Sequence, residues 1–252
     1  MPKYSPAWGL LAVATFLITR KAAAGSVAGR ELVHKDEGEG TQEPEIPTET
    51  YPMRPIDDSW IPPGQGAPLH AMLSGDPKRP EIAAALSEMD DYLASSGINT
   101  SWVSAKELTT MPKGSTSSGR KPVAIPPRGL WENIIPTLRL WENEIRGPMG
   151  VPMRLRAYRP VDYNTAVGGA AGSQHQWFSA LDIYLDGDNN TAKNRRSLGV
   201  MGALAYLSAP EHKIGFGAYG SPTPSNIHLD TGFSRRKWKD AQYFIDKAQK
   251  VS

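Results

Sequence analysis

The sequence contains no cysteine, and this absence excludes two kinds of site. A chain without thiols forms no disulfides and no metal site with thiolate ligands. A bound metal would therefore need imidazole and carboxylate ligands, and the 252 residues include only five histidines. The lack of cysteine does not identify the compartment, because many envelope proteins also lack it.

An excess of charge of one sign is also lacking. The 28 lysines and arginines nearly balance the 26 aspartates and glutamates, which leaves a net charge of +2. Proteins that bind nucleic acid usually carry a basic stripe or patch, and here basic residues cluster only briefly near the C-terminus. We therefore predict no nucleic-acid partner.

Helix and strand breakers, in contrast, are abundant. The 24 glycines and 22 prolines exceed average usage and predict long irregular stretches. A hydrophobic fraction of 39% with seven tryptophans is enough for one sizeable core. We therefore predict one folded domain joined to disordered or anchoring segments.

The N-terminus carries an apolar run at residues 7–18, preceded by Lys3 and followed by Arg20 and Lys21. The run is shorter than the roughly 20 residues that a full membrane span needs, and it suits the apolar region of a signal peptide. We interpret residues 1–29 as a signal peptide or an N-terminal membrane anchor; a buried core helix is the alternative. Both a signal peptide and a membrane anchor predict a location in the cell envelope, outside the cytoplasm.

Composition changes along the chain predict three further segments. Residues 30–69 are acidic and proline-rich and lack hydrophobic periodicity, which predicts a disordered linker. Residues 70–127 form a loop-rich segment with a short helix at 80–94, where apolar residues recur at spacings of three and four. Breakers at 109–127 predict a second loop, and residues 128–252 form the predicted compact domain.

Hydrophobic patterns within the compact domain predict an α+β fold: a small, mainly antiparallel sheet with flanking helices. An apolar stripe at 131–145 predicts a helix, kinked at Pro136 and ended by Gly147 and Pro148. Alternating or short apolar runs predict strands at 153–158, 179–185, 213–219 and 226–231. Two more helices are predicted at 192–208 and 235–249.

Two short segments concentrate the potential metal ligands. His175 precedes a predicted strand that carries Asp182, and His228 lies on a later strand. His228 and Asp230 are two residues apart, so both side chains point to the same face of the strand. Two imidazoles and one carboxylate suit a catalytic zinc ion. Each signal is weak by itself, because a single strand histidine is more often structural, and Asp182 alone could be a turn residue.

The order of these residues resembles a known family, the zinc D-Ala-D-Ala carboxypeptidases, which also contains murein endopeptidases, phage endolysins and vancomycin-resistance dipeptidases. That family has a motif Ser-x-His-x-x-Gly-x-Ala-x-Asp followed by a later His-x-Asp. The similarity covers residues 128–238, with the motifs in the family's order. It is carried by Tyr158-Arg159-Pro160, Val167-Gly168-Gly169-Ala170, Ser173-x-His175, Ala180-x-Asp182 and Ile227-His228-Leu229-Asp230-Thr231-Gly232.

The resemblance implies a role for each matching position. His175, Asp182 and His228 would be the zinc ligands. Arg159 would bind a carboxylate of the peptide substrate, for which a planar guanidinium is suited. Ser173 would orient the loop or contact the substrate.

Two positions depart from the family pattern. The motif glycine is replaced by Phe178, which could reshape the cleft or the loop that carries His175. Several branches have an acidic general base three residues before the last zinc histidine, and that position is Ser225 here. Asp230 is the nearest acid in sequence, and it could serve as the catalytic base or as an orienting partner of a ligand.

The resemblance implies a zinc-dependent peptidoglycan peptidase that hydrolyses a stem or cross-link peptide bond with a metal-activated water. The sequence does not distinguish an endopeptidase from a D,D-carboxypeptidase, or a bacterial envelope protein from a phage virion protein. The two departures support an alternative, a non-catalytic zinc-containing module that binds the cell wall or forms part of a virion. A metal-free globular domain is a further alternative.

Overall fold

The computed structural model of the protein describes residues 70–208, 212–232 and 234–251. The predicted signal peptide or anchor, with its membrane attachment through residues 7–18, and the predicted linker at 30–69 lie outside the described residues. Among the residues that are described, no helix is both long enough and apolar enough to cross a membrane.

The first described segment folds around two short strands and two helices. Strand β1 (Leu73–Gly75) pairs antiparallel with β2 (Val123–Ile125), and helices α1 (Pro80–Ser95) and α2 (Ala105–Thr109) lie between them in the chain. Helix α1 confirms the helix predicted at 80–94, and a proline in its first turn starts it without loss of a hydrogen bond. The loop predicted at 109–127 contains strand β2, whose three residues are buried; the numerous breakers around this short apolar run concealed it.

The helix predicted at 131–145 is divided rather than kinked. A 3-10 helix (Arg128–Ile134) leads into α3 (Ile135–Trp141), a π-helical turn (Glu142–Arg146) and α4 (Gly147–Met149). Pro136 lies in the first turn of α3, where a missing N–H breaks no helical hydrogen bond. The helical stretch also ends later than predicted, at Gly150, which adopts the left-handed conformation with φ +63°.

The remaining elements build a five-stranded sheet covered by helices. Its strands are β3 (Met153–Arg156), β4 (Ala180–Leu185), β5 (Gly215–Ala218), β6 (Ile227–Asp230) and β7 (Arg236–Lys239), in the spatial order β3-β4-β6-β5-β7. All neighbours are antiparallel except β5 and β7, which are parallel. Helices α5 (Val161–Ala166), α6 (Ala192–Leu207) and α7 (Ala241–Val251) complete the fold. The predicted α+β class and mainly antiparallel sheet are confirmed.

The C-terminal segment corrects one prediction. Instead of a single helix at 235–249, the chain forms strand β7 and then α7, with Lys239 in the left-handed conformation (φ 56°) between them. The more buried Arg236 and Trp238 alternate with the exposed Lys237 and Lys239, which is the period of a strand. The apolar residues that follow Trp238 have helical spacing, and for this reason the sequence predicts a helix at this position.

The two faces of the sheet differ in chemistry. Phe216, Ile227 and Leu229 are fully buried and belong to the hydrophobic core. Helix α6 packs closely on this face, since a Cβ on Gly202 would lie 2.6 Å from Cδ1 of Ile227. The opposite face carries the charged and imidazole side chains of the alternate positions and faces the loop that leads to β4.

Residues on both sides of position 128 share a single hydrophobic core. Helix α2 also supports the sheet directly, because Glu107 Oε1 accepts a 2.6 Å hydrogen bond from the Leu155 N–H. The carbonyl of Leu108 accepts 3.0 Å hydrogen bonds from the N–H groups of Ala157 and Tyr158. The loop-rich segment at 70–127 therefore holds the end of β3, from which the chain continues to the candidate site.

Candidate metal centre

Two adjacent strands bring Asp182 and His228 together. Asp182 of β4 and His228 of β6 are directly paired in the antiparallel register, so their side chains project from the same face of the sheet. His228 Nδ1 lies 3.1 Å from Asp182 Oδ1, and both side chains are buried. The pairing of the strands, rather than any local turn, creates this contact.

His175 reaches the same carboxylate from a 3-10 turn (Gln174–Trp177) that precedes β4. Its Nε2 lies 3.3 Å from Asp182 Oδ1. On the other side of the ring, Nδ1 lies 2.6 Å from the carbonyl oxygen of Ala157. The backbone also ties this turn to the chain after β3, because the Arg159 N–H donates a 3.0 Å hydrogen bond to the His175 carbonyl.

The surroundings of His175 fit a cation between the ring and Asp182. A carbonyl oxygen can only accept, so Nδ1 carries the proton and Nε2 presents a lone pair in the neutral ring. That lone pair faces a carboxylate oxygen, and Nε2 is buried without a hydrogen-bond partner. Two acceptors at this distance repel each other unless a positive charge lies between them.

The spacing of the three groups also fits a metal ion. One ligand atom from each of His175, Asp182 and His228 lies within 4.8 Å of the others. Ligand bonds of about 2.0–2.1 Å at tetrahedral angles place neighbouring ligand atoms roughly 3.3 Å apart. The two distances to Asp182 Oδ1, 3.3 and 3.1 Å, agree with this value. The triad can therefore hold a metal ion, as the sequence predicts.

The electrostatics keep the carboxylate ionised and His175 neutral. Burial acts to raise the pKa of Asp182, but His175 and His228 outweigh it and hold the pKa well below its ordinary value. Burial lowers the pKa of His175, although Asp182 partly opposes the effect. An ionised carboxylate and a neutral imidazole are the protonation states that metal coordination requires.

Asp230 lies on the far side of His228. Its Oδ2 is 2.9 Å from His228 Nε2, so the two ring nitrogens face two different carboxylates. Asp230 is fully buried and also accepts hydrogen bonds from the Gly232 N–H at 3.0 Å and Arg236 Nη2 at 3.0 Å. These contacts favour the orienting role for Asp230, because they hold the His228 ring with its Nδ1 directed toward Asp182.

The two carboxylates raise the proton affinity of His228. Burial acts to lower the pKa of this imidazole, but the hydrogen bonds and charges of Asp182 and Asp230 raise it to about 9. The metal-free protein therefore carries a protonated His228 at neutral pH. A metal ion would have to displace that proton to reach Nδ1.

Arg159 and Ser173 lie at the site in arrangements that the sequence did not specify. The Arg159 guanidinium donates through Nη2 to Asp182 Oδ2, on the carboxylate that His175 and His228 share. Ser173 precedes the 3-10 turn, where its carbonyl accepts a 3.0 Å hydrogen bond from the Gln176 N–H. In the structure Arg159 supports a candidate ligand, and Ser173 orients the turn through its backbone.

Two glycines of β5 make room for this site, and sequence reasoning missed their role. A Cβ on Gly215 would lie 2.2 Å from Asp230 Oδ2, and a Cβ on Gly217 would lie 2.5 Å from Trp238 Cε2. The Trp238 ring packs against His228 with 4.8 Å between centroids. The alternating glycines in the strand predicted at 213–219 were the signal, because glycine inside a strand often marks a close approach.

The two departures from the family motif have clear structural settings. Phe178 adopts the left-handed conformation (φ 53°, ψ 39°) that favours glycine, ends the 3-10 turn and is fully buried against Tyr158. Ser225 is exposed and bonds to the Tyr219 carbonyl and to Asn226. Phe178 therefore keeps the turn that carries His175.

The site unites a buried triad able to hold a metal ion with an ion-paired arginine and a supporting carboxylate. Comparison with known proteins adds no family assignment: no family model matches the chain, and no curated protein matches it significantly.

Proposed function

We propose that this protein is a zinc-dependent peptidase that acts on peptidoglycan peptides, as an endopeptidase or a D,D-carboxypeptidase of the cell envelope or of a phage virion. The observation that carries the proposal is the convergence of two imidazoles and one carboxylate, with the lone pair of His175 Nε2 directed at Asp182. Zinc commonly takes three such protein ligands in catalytic sites. The order of the motifs, which resembles peptidoglycan metallopeptidases, supports the substrate class.

Each polar residue of the site has a task in this proposal. A zinc ion held by His175, Asp182 and His228 would supply Lewis acidity, which polarises a peptide carbonyl and activates water. Asp230 holds the ring of His228 in the tautomer that leaves Nδ1 free to coordinate. Arg159 neutralises and positions Oδ2 of Asp182, the oxygen that faces neither histidine.

The test combines metal analysis with a product assay on the full-length protein. We expect about one zinc per chain and release of muropeptide fragments or D-alanine from peptidoglycan, identified by mass analysis. A chelator and the variant Asp182→Asn should each abolish release. Asp186→Asn, at an exposed carboxylate paired with Arg154, is the matched control and should retain activity. Absence of bound zinc would overturn the proposal.

One observation favours a second function, a non-catalytic zinc module that binds the cell wall or forms part of a virion. Asp230 is engaged by His228, Gly232 and Arg236, and is therefore not a free general base. The same experiment separates the two functions. Stoichiometric zinc without metal-dependent product release would establish the module and contradict the peptidase.

A further inference from the structure

The edge strand β7 reaches the metal site across strand β5, which lies between β7 and β6. Asp230, Gly215 and Arg236 are paired in one row across these three strands, so all three project from the same face of the sheet. Two strand spacings separate Arg236 from β6, a distance of about 10 Å. The arginine can cross this distance because the residue between them has no side chain: a Cβ on Gly215 would lie 2.2 Å from Asp230 Oδ2.

Arg236 contacts the carboxylate oxygen that also meets the candidate ligand. Its Nη2 donates a 3.0 Å hydrogen bond to Asp230 Oδ2, and His228 Nε2 lies 2.9 Å from that same oxygen. The other oxygen, Oδ1, accepts from the Gly232 N–H. Among the described residues, no other arginine or lysine pairs with Asp230. One carboxylate oxygen therefore joins the guanidinium to the imidazole.

The guanidinium of Arg236 is itself fixed by its surroundings. Nη1 donates a 3.2 Å hydrogen bond to the Ser234 carbonyl, and the guanidinium carbon lies 5.6 Å from the centroid of the Trp238 ring. The side chain of Arg236 is 33% exposed, whereas that of Asp230 is fully buried. The arginine thus enters from the surface and ends in a defined position on a buried carboxylate.

We propose that Arg236 is a positioning residue of the candidate metal centre and acts on His228 through Asp230. The inference rests on the proposed function, because it takes His228 to be a zinc ligand, and it extends the support of that ligand to the edge strand β7. The charge-assisted hydrogen bond fixes the rotamer of Asp230, and the carboxylate then holds the His228 ring with Nδ1 toward Asp182. Without the guanidinium, Asp230 can rotate about its remaining contacts and the ring loses its fixed orientation.

The sign of the effect on zinc affinity distinguishes positioning from simple charge. Arg236 is a cation close to a site for another cation, so Coulomb repulsion alone predicts that its removal strengthens zinc binding. Positioning predicts the opposite, because a ligand without a fixed orientation binds more weakly.

The test measures the zinc affinity of the full-length protein by competition with a chelator. Arg236→Met keeps an unbranched side chain but removes the charge and the donors, and it should weaken zinc binding by about tenfold, the lower end of the range for outer partners of a ligand. Arg236→Lys keeps the charge and one donor site and should recover part of the affinity. Lys237→Met is the matched control, since it removes a charge from the opposite, exposed face of the same strand. Its affinity should equal or slightly exceed that of the wild type.

Two further measurements test the route through Asp230. The double variant Asp230→Asn/Arg236→Met should bind zinc no more weakly than Asp230→Asn alone, because both substitutions remove the same contact. Cobalt(II) in place of zinc gives an absorption spectrum that depends on the coordination geometry. This spectrum should change in Arg236→Met and keep its wild-type form in Lys237→Met.

Thermal melts of the metal-free variants report whether each one folds. If Arg236→Met does not fold, Arg236→Lys takes its place, and a wild-type zinc affinity in that variant would overturn the proposal. Unchanged or stronger zinc binding by a folded Arg236→Met, or additive losses in the double variant, would also overturn it.

These outcomes are separate from the proposed function because the readout is metal binding. A protein whose zinc affinity depends on Arg236 but that releases no product would lose only the peptidase assignment. A peptidase whose zinc affinity and cobalt spectrum are unaffected by Arg236→Met would lose only this inference. A wild type that binds no zinc would overturn both.

Discussion

At the scale of single residues, Asp230 connects the candidate metal ligand His228 to the surrounding backbone and to Arg236. Its carboxylate bridges His228, the Gly232 N–H and Arg236 while being fully buried. A partner of this kind fixes the ring of a ligand and strengthens its basicity. Orientation of His228 by Asp230 and base catalysis by Asp230 therefore predict different effects of a substitution at this residue.

We predict that Asp230→Asn weakens zinc binding by about 10–100-fold, because the neutral amide orients and polarises the His228 ring less well. Competition with a chelator of known affinity measures the change. Asp186→Asn is the control, and melting of the metal-free variant reports its fold. If zinc affinity were unchanged while turnover fell, Asp230 would be the general base.

Zinc binding should also depend on pH through His228. Its pKa of about 9 means that the ring is protonated at pH 7, so zinc has to displace a proton. The apparent zinc affinity should rise by up to about tenfold per pH unit between pH 7 and 9 and level off above. Calorimetry at pH 7 in buffers of different ionisation enthalpy should detect release of about one proton per zinc.

The raised pKa of His228 also determines how the stability of the metal-free protein changes with pH. His228 has a higher pKa in the folded state than its ordinary value of 6.5. Its stabilisation is therefore complete below pH 6.5 and is lost as the pH rises through 9. Removing the charge of Asp230 should shift this loss to lower pH. A melting temperature independent of pH between 6.5 and 9 would contradict the raised pKa.

At the scale of elements, the 3-10 turn that carries His175 depends on the conformation of Phe178. Its backbone is left-handed (φ 53°), and its ring is fully buried. A residue with a Cβ pays roughly 1–2 kcal/mol in this region, whereas glycine does not. The ring contributes buried contacts that oppose this cost, which explains how phenylalanine can replace the motif glycine.

Two substitutions separate these opposing effects. Phe178→Ala and Phe178→Gly should both destabilise the protein, by about 3–5 kcal/mol for loss of the buried ring. The glycine variant should be the more stable of the two, by about 1 kcal/mol, because only the alanine keeps the strain. Urea unfolding measures both. The matched pair Phe216→Ala and Phe216→Gly in β5 should show the opposite order, as expected for a strand.

Strand β5 leaves space for the site because two of its four residues, Gly215 and Gly217, have no side chain. A methyl group at Gly217 would lie 2.5 Å from the Trp238 ring, which packs against His228. We predict that Gly217→Ala destabilises the fold by about 1–3 kcal/mol and changes the environment of Trp238. Urea unfolding and tryptophan fluorescence measure these effects. Gly172→Ala, where nothing lies within 4 Å of the added methyl, is the control. Equal stability of both variants would contradict the close packing.

At the scale of the whole molecule, the segment at 70–127 and the sheet share a core. Helix α2 accepts hydrogen bonds from three backbone N–H groups at the end of β3: Leu155 donates to the Glu107 carboxylate, and Ala157 and Tyr158 donate to the Leu108 carbonyl. Without α2, these N–H groups and the apolar surface that packs on the first segment would be exposed. The loop that brings His175 to Asp182 would lose its anchor at the same time.

We therefore predict that a chain beginning at residue 128 does not fold cooperatively, although the sequence suggested a domain boundary there. Circular dichroism during thermal unfolding should show no sharp transition for it, and one transition for a chain beginning at residue 70. Zinc binding to the shorter chain should be weak. A sharp transition with wild-type zinc affinity from the shorter chain would establish an independent domain at 128–252.

The sequence by itself determined the candidate ligands and the strands that carry them. Short apolar runs indicated the strands at 179–185 and 226–231, and a period of two places His228 and Asp230 on one face. Because the chain has no cysteine and only five histidines, few combinations of residues can form a metal site. Local periodicity and residue chemistry are sufficient for these conclusions, because both are properties of short segments.

The tertiary structure decided how the same residues are connected. The pairing of β4 with β6 places Asp182 beside His228, and the path after β3 gives His175 its carbonyl partner. Long-range packing also placed Trp238 on a strand and engaged Arg159 with Asp182. These features depend on register and contacts between distant segments, which hydrophobic periods within each segment do not encode.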